Sequence, residues 1–210
     1  MKVLHARSYR EGLRELTGRD SDLARIHAEH GTPPTWFREP GFQTLLHIIL
    51  EQQVSLASAR AAYERLLALA TPLTPARFLS LDDAALKGAG FSRQKIIYGR
   101  HLAEAVHEGR LNLEALTDAD DAEVKAALTA LKGIGSWTAD IYLLMSLRRA
   151  NAWPAGDLAL AVAWQEVKNL HARPTPLELA GIAERWRPWR AVAARLLWHY
   201  YLQRRRAKTA

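Results

Sequence analysis

The chain has 210 residues, a formal net charge of +7 and a pI near 9.9, which favour a polyanionic partner such as a nucleic acid. Its length allows one large domain or two small lobes. Because the chain contains no cysteine, disulfides, Cys-ligated zinc and iron–sulfur clusters are excluded. No apolar run approaches the roughly 20 residues of a membrane span, and the charged N-terminal stretch lacks the apolar block of a signal peptide. We therefore expect a cytoplasmic protein, nucleoid-associated if bacterial, that is not secreted and binds no membrane.

Apolar residues recur at helical spacing along the chain, without strand-like alternation or sequence repeats, and this pattern predicts an all-α protein. Residues 42–55 are apolar nearly all round, which predicts a central buried helix that ends in the polar run Glu51, Gln52 and Gln53. The remaining helices are predicted over 8–30 (one or two helices), 57–70, 82–87, 90–107, 118–131, 136–147 and 189–203. Two more helices are predicted to begin at residues 158 and 176.

A tight hairpin connects the two helices on either side of residues 132–135. Gly133 and Gly135 bracket one apolar residue, and glycine permits positive φ and close approach by another backbone. Ser136 lies where it can cap the second helix. The free amides at a helix N-terminus form an anion site, and in a basic protein the expected anion is a DNA phosphate. A structural turn between core helices is the alternative, because glycine often ends helices.

The pattern Leu-x-Gly-Ile-Gly-x-Trp-Thr-Ala over 131–139, followed about twenty residues later by Gly156-Asp157, resembles the helix-hairpin-helix DNA glycosylases. Within that superfamily it is similar to the 3-methyladenine DNA glycosylase II branch. The resemblance covers about 40–200 and implies a two-lobed, all-α fold with the active cleft between the lobes. One lobe comprises 41–147, including the hairpin, and the other combines 1–40 with 148–210. We expect a compact form, because the stretch before residue 40 is too short for the N-terminal α/β domain of some relatives.

The resemblance also implies a catalytic role for Asp157, although its position before an apolar helix by itself favours a structural N-cap. An ionised carboxylate there would stabilise the oxocarbenium-like transition state at a deoxyribose C1′, orient a water or attack directly. Trp137 stands where bifunctional relatives have a nucleophilic lysine, which implies no lyase activity. Trp137 and Trp189 are expected to line the base pocket. Tyr142 joins them as the neighbour of Ile141, where a family pocket tyrosine falls.

Further residues take DNA-binding and cation-binding roles by the same resemblance. Gln52 matches a family glutamine that reaches into the duplex, and Gln53 falls where relatives can have an apolar wedge. Two backbone carbonyls, of Leu131 and Ile134, match a family site for a monovalent cation, Na or K, and no other cofactor is expected. The hairpin residues expected to bind DNA are Lys132, Gly133, Ile134, Gly135 and Ser136.

The function implied is that of a monofunctional DNA glycosylase in base excision repair, acting as a monomer on double-stranded DNA that contains damaged bases. It would flip out 3-methyl- or 7-methylpurine-type bases and hydrolyse the N-glycosidic bond. A cationic base is a good leaving group, and an indole face attracts it by about 0.5–2 kcal/mol. The alternatives are a glycosylase for other damaged or mismatched bases and a noncatalytic helix-hairpin-helix module, which needs neither Asp157 nor a tryptophan-lined pocket.

Overall fold

The computed structural model describes residues 2–209, with side chains up to residue 207, and this part of the chain is all-helical, as predicted. It contains no β-strand; an isolated antiparallel bridge pairs Val3 with Arg149. None of the described helices is long and apolar enough to cross a membrane. The helices are α1 (Ala6–Arg19), α2 (Ser21–His30), α3 (Phe42–Glu51), α4 (Leu56–Leu69), α5 (Pro75–Ser80), α6 (Asp83–Gly88), α7 (Arg93–His107), α8 (Asp121–Thr129), α9 (Ser136–Met145), α10 (Leu158–Lys168), α11 (Pro176–Ala183) and α12 (Arg190–Thr209).

Capping interactions explain where two of the helices differ from the prediction. The first hairpin helix, α8, begins later than predicted, because Asp120 and Glu123 form a reciprocal capping box. Helix α5 was not predicted at all. Thr74 caps it and Pro75 occupies its first turn, a combination that also occurs in ordinary turns.

The described residues divide into two compact units. The middle unit, Arg38–Tyr142, is organised around α3, which packs against α4 and α7. Its apolar side chains are buried on nearly every side, as the sequence predicts. In the same unit Gly99 lets α7 approach the ring of Phe78, because a Cβ at Gly99 would lie 2.7 Å from that ring.

The terminal unit comprises the residues up to Phe37 together with those from Leu143 onward. Its helix α12 packs against α10 and α2. A cluster of three tryptophans fills part of this core: Trp153 and Trp164 each lie 5.3 Å, centroid to centroid, from Trp186. The division into lobes at 40/41 and 147/148, and a cleft between them, stay predictions from the sequence.

Candidate active site and DNA-binding surface

Asp157 lies in the terminal unit, at the end of the 151–156 loop, and caps α10. Its Oδ1 accepts hydrogen bonds from the Leu160 backbone N–H and from the Trp198 indole Nε1, both at 3.0 Å. The residue is 8% exposed. Two N–H donors and a helix N-terminus stabilise negative charge on this carboxylate. The capping role is therefore present, and the indole contact adds to it a feature that a cap does not require.

Trp198 is the partner of Asp157 that sequence reasoning missed. It lies on α12, 41 positions from Asp157, within an apolar run where a tryptophan normally indicates core. Its ring also meets that of Trp36 edge-on, with centroids 6.4 Å apart and an interplanar angle of 78°. No local sequence signal identifies it, because the contact depends on how α12 packs against α10.

Trp189, predicted to line the base pocket, is buried in the terminal unit, and its pocket role stays a prediction. The residue is 0% exposed, and its indole Nε1 donates to Glu15 Oε2 at 2.6 Å. Its ring lies against Gly12, where an added Cβ would be only 2.7 Å from two ring atoms, and the Lys2 ammonium lies 3.6 Å from the ring centroid.

Tyr142, also predicted to join the base pocket, is buried as well, and its pocket role stays a prediction. It is 0% exposed within the middle unit, and its phenolic oxygen accepts a hydrogen bond from the Gly41 backbone N–H at 3.0 Å. Burial raises the pKa of the Tyr142 phenol. Trp137, in the first turn of α9, is only partly buried, as a pocket wall requires, and its pocket role stays a prediction.

The hairpin between α8 and α9 has the tight geometry that its glycines predict. Gly133 has φ of 94°, and the Ile134 N–H donates to the Leu131 carbonyl at 3.1 Å. The Gly135 carbonyl accepts from the Ala139 N–H at 3.1 Å, so Gly135 rather than Ser136 takes the cap position of α9. The exposed residues of the turn are Lys132, Gly135 and Ser136.

Gln52 supports this hairpin from within the protein. Its Nε2 donates to the Gly133 carbonyl at 2.9 Å and to Thr138 Oγ1 at 3.0 Å. The sequence predicted a DNA contact here and missed this bracing role, which joins the end of α3 to the hairpin. The next residue, Gln53, is exposed, and its φ of 57° lies in the left-handed region; its role as a wedge stays a prediction.

A groove of about 630 Å³ in the middle unit brings the predicted DNA-binding segments together. Ser92, which caps α7, contributes to its wall. The Lys95 ammonium donates to the Leu50 carbonyl at 2.6 Å and so caps the C-terminal end of α3. Burial lowers the pKa of this lysine. The groove is lined by Gln52, Gln53, Val54, Gly90, Ser92, Gln94, Lys95, Tyr98, Thr129, Leu131, Gly133, Ile134 and Gly135.

Comparison with known proteins identifies the family. A family model described as the HhH-GPD superfamily base excision DNA repair protein matches residues 46–188, and the chain belongs to this superfamily. It is 29% identical over 165 residues to DNA-3-methyladenine glycosylase 1 of Schizosaccharomyces pombe, covering 77% of this chain and 72% of the relative. It is 32% identical over 126 residues to DNA-3-methyladenine glycosylase 2 of Escherichia coli, covering 60% of this chain and 42% of that enzyme.

Solved structures agree with the fold. The S. pombe 3-methyladenine DNA glycosylase Mag1, solved with abasic DNA, matches with a TM-score of 0.85 at 27% identity, covering 90% of this chain and 95% of that one. A DNA-3-methyladenine glycosidase from Bacillus halodurans matches with a TM-score of 0.74 at 31% identity, covering 90% and 88%. The all-α helix-hairpin-helix glycosylase fold predicted from the sequence is confirmed.

Proposed function

We propose that this chain is a monofunctional DNA glycosylase that excises 3-methyl- and 7-methylpurine-type bases from duplex DNA in base excision repair. The observation that carries the proposal is the Asp157 carboxylate, fixed by the Trp198 indole at the N-terminus of α10 in a chain of this superfamily. The names of the S. pombe, E. coli and B. halodurans relatives support the choice of alkylated bases.

The chemistry needs a fixed negative charge and a labile leaving group. As the glycosidic bond breaks, positive charge develops on the deoxyribose, and a carboxylate held by two N–H donors stabilises it without having to reorganise. A purine methylated at N3 or N7 already carries positive charge in the nucleotide, so it leaves with little help from a general acid. Trp137 has no amine and cannot form a Schiff base, so the product is an intact abasic strand.

The hairpin is proposed to bind the DNA backbone rather than read sequence. A Cβ at Gly135 meets nothing within 4 Å, so this exposed position leaves room for a phosphate to approach the first amides of α9. Exposed Lys132 adds a cation beside it. The bracing of Gly133 by Gln52 fixes the turn before DNA arrives, which reduces the ordering cost of binding.

The decisive experiment compares Asp157→Asn with a matched control, Asp20→Asn. Asp20 also caps a helix, α2, and also accepts from an indole, that of Trp186 at 2.7 Å, within the same unit. At Asp157 a single oxygen, Oδ1, accepts from both Leu160 and Trp198, so asparagine can keep both bonds while it removes the charge. At Asp20 the cap uses Oδ1 and the indole uses Oδ2, so asparagine removes the charge and also loses one of these two contacts, which makes Asp20→Asn the structurally harsher change of the two. Asp157→Asn should lower single-turnover excision of 7-methylguanine about 100-fold or more, with duplex affinity within a few-fold.

Asp20→Asn should leave the excision rate within about two-fold of wild type, whatever it does to the melting temperature. Near wild-type excision by Asp157→Asn would leave Asp157 as a structural cap. Duplex binding by the wild-type protein without release of any base would favour the noncatalytic module, and release of only oxidised or mismatched bases would favour another glycosylase specificity.

We further propose that the Leu131 and Ile134 carbonyls hold a monovalent cation, Na or K, when DNA binds. Both residues line the groove, and the Leu131 carbonyl, which accepts one hydrogen bond, has a second lone pair. The described residues contain no group of three or more His, Asp or Glu side chains that could hold a metal. Duplex affinity should be higher in NaCl or KCl than in tetramethylammonium chloride at equal ionic strength; equal affinity would contradict the site.

The remaining expectation, that the protein acts as a monomer in the cytoplasm, is part of the same proposal. Light scattering coupled to gel filtration should give a mass near the 23.6 kDa of one chain for the free protein, and the mass of one chain plus one duplex for its complex with a short duplex. A mass of twice that value would overturn it.

A further inference from the structure

The segment between α2 and Phe37 has no regular secondary structure, yet the terminal unit holds it firmly. The Tyr9 hydroxyl donates to the Pro33 carbonyl at 3.0 Å, and the Nε of Arg195 donates to the Thr35 carbonyl at 2.7 Å. Arg195 is itself completely buried. These contacts fix the backbone on the N-terminal side of Trp36.

Trp36 adopts a conformation that bulky residues rarely take. Its φ is 48°, in the left-handed region where a Cβ crowds the backbone. Such conformations persist only where the surrounding structure imposes them, and they concentrate at functional sites. The Trp36 ring remains partly exposed, so the strain is not explained by filling a closed core.

The ring that Trp36 contacts is the one that holds the proposed catalytic carboxylate. Trp198 presents its indole N–H to Asp157 and packs edge-on against Trp36, with centroids 6.4 Å apart. The imidazole of His199 lies 6.5 Å from Trp36, and its Nε2 is within 2.9 Å of the His30 carbonyl. The Trp198 side chain therefore contacts both Trp36 and Asp157, and hydrogen bonds hold the rings of Trp198 and His199 in place.

We infer that Trp36 is a specificity-determining residue: its partly exposed indole forms a wall of the base site beside Asp157 and stacks on the ring of the extruded purine. This inference rests on the proposed function and adds to it a residue that neither the hairpin nor the aspartate motif indicates. An aromatic face accepts any base by stacking, and it attracts a cationic alkylpurine more strongly than a neutral one.

The experiment uses three substitutions at Trp36 and a neighbouring control. Trp36→Asn removes the indole with a residue that tolerates the left-handed conformation, so it should not lose stability through backbone strain. Trp36→Ala removes the ring without that tolerance, and Trp36→Phe keeps an aromatic face. The control is Phe37→Leu, whose native ring packs between the guanidinium groups of Arg148 and Arg195, with centroid distances of 4.8 and 5.1 Å.

Each variant is assayed for single-turnover release of 7-methylguanine and of neutral hypoxanthine, for affinity to a duplex with a tetrahydrofuran abasic analogue, and for melting temperature. Trp36→Asn should release 7-methylguanine about 5- to 100-fold more slowly, with a smaller loss for hypoxanthine. Affinity for the abasic duplex should stay within two-fold, because that duplex offers no base to stack. Trp36→Phe should recover most of the rate, and Phe37→Leu should leave the ratio of the two rates unchanged.

A 7-methylguanine rate within two-fold of wild type in a folded Trp36→Asn protein would overturn the inference and leave the proposed function standing. An equal loss for both bases, accompanied by weaker abasic-duplex binding, would also overturn it, since it would assign Trp36 a purely structural role. If the wild-type protein releases no alkylated base, the proposed function fails and this inference fails with it.

Discussion

Replacing Gly133 by alanine should destabilise the protein far more than the same replacement at Gly135, although both glycines belong to one hairpin. Gly133 has φ of 94°, and a Cβ there would lie under 3.0 Å from three atoms of the Tyr98 ring. The corresponding Cβ at Gly135 meets nothing within 4 Å. The two substitutions add the same methyl group and so form a matched pair.

The magnitude follows from two separate penalties. A left-handed conformation costs a non-glycine residue about 1–2 kcal/mol, and forcing extra atoms into a packed site costs about 1–3 kcal/mol. If the turn shifts to relieve the clash, the hydrogen bond from Gln52 to the Gly133 carbonyl, worth about 1 kcal/mol net, is weakened as well. Gly133→Ala should therefore lower the free energy of unfolding by about 2–5 kcal/mol, a large share of the roughly 5–15 kcal/mol typical of a domain.

Urea unfolding of Gly133→Ala, Tyr98→Ala and the double variant measures the two penalties separately. In the Tyr98→Ala background the steric part should disappear, so Gly133→Ala should cost only the conformational part, about 1–2 kcal/mol. Gly135→Ala should change the free energy of unfolding by less than about 1 kcal/mol, yet weaken binding to every duplex alike, because the methyl group crowds the phosphate.

An equal cost of Gly133→Ala with and without Tyr98 would show that this ring is not the obstacle. An unchanged urea midpoint for Gly133→Ala would refute the reasoning about the hairpin altogether. Normal duplex affinity of a folded Gly135→Ala protein would reduce the hairpin to a structural turn.

Three further predictions concern His47, Trp137 and the absence of lyase activity. Burial lowers the pKa of His47, so the unfolded chain binds this proton more tightly than the folded protein. The free energy of unfolding should therefore fall as the pH drops through the ordinary value of 6.5, and His47→Gln should reduce that fall; parallel pH profiles from urea unfolding would contradict it. Trp137→Ala should slow the release of 7-methylguanine about two- to thirty-fold more than the release of hypoxanthine, because only the cationic base gains cation–π energy. A large drop in melting temperature with an unchanged ratio of the two rates would instead make Trp137 a core residue. Because Trp137 cannot form a Schiff base, borohydride trapping of the wild-type protein on damaged DNA should give no covalent protein–DNA adduct.

The residues of the candidate site differ in how far sequence could predict them. Asp157 was found because it stands at a fixed distance from the hairpin pattern, and both features lie in short stretches of chain. Local geometry alone does not separate it from Asp20, since both cap a helix and both accept from an indole. Membership in the superfamily is what favours a catalytic role for Asp157 over Asp20, and the comparison of Asp157→Asn with Asp20→Asn tests that role.

The sequence by itself determined the helical class of the chain, the buried character of α3 and the tight turn at 132–135. These depend on the spacing of apolar residues and on the backbone freedom of glycine, which are properties of neighbouring residues. The start of α8 was placed too early, because a cap at Asp120 depends on the reciprocal bond with Glu123 and not on the type of one residue.

Only the tertiary structure decided which tryptophan reaches Asp157. Trp189 and Trp198 both lie in an apolar stretch near or within α12, and their composition gives no reason to prefer one. Packing places the first against Gly12 and the second beside the N-terminus of α10. An apolar residue on a helix is compatible with either a core or a pocket wall, and the choice depends on which helix packs against its face.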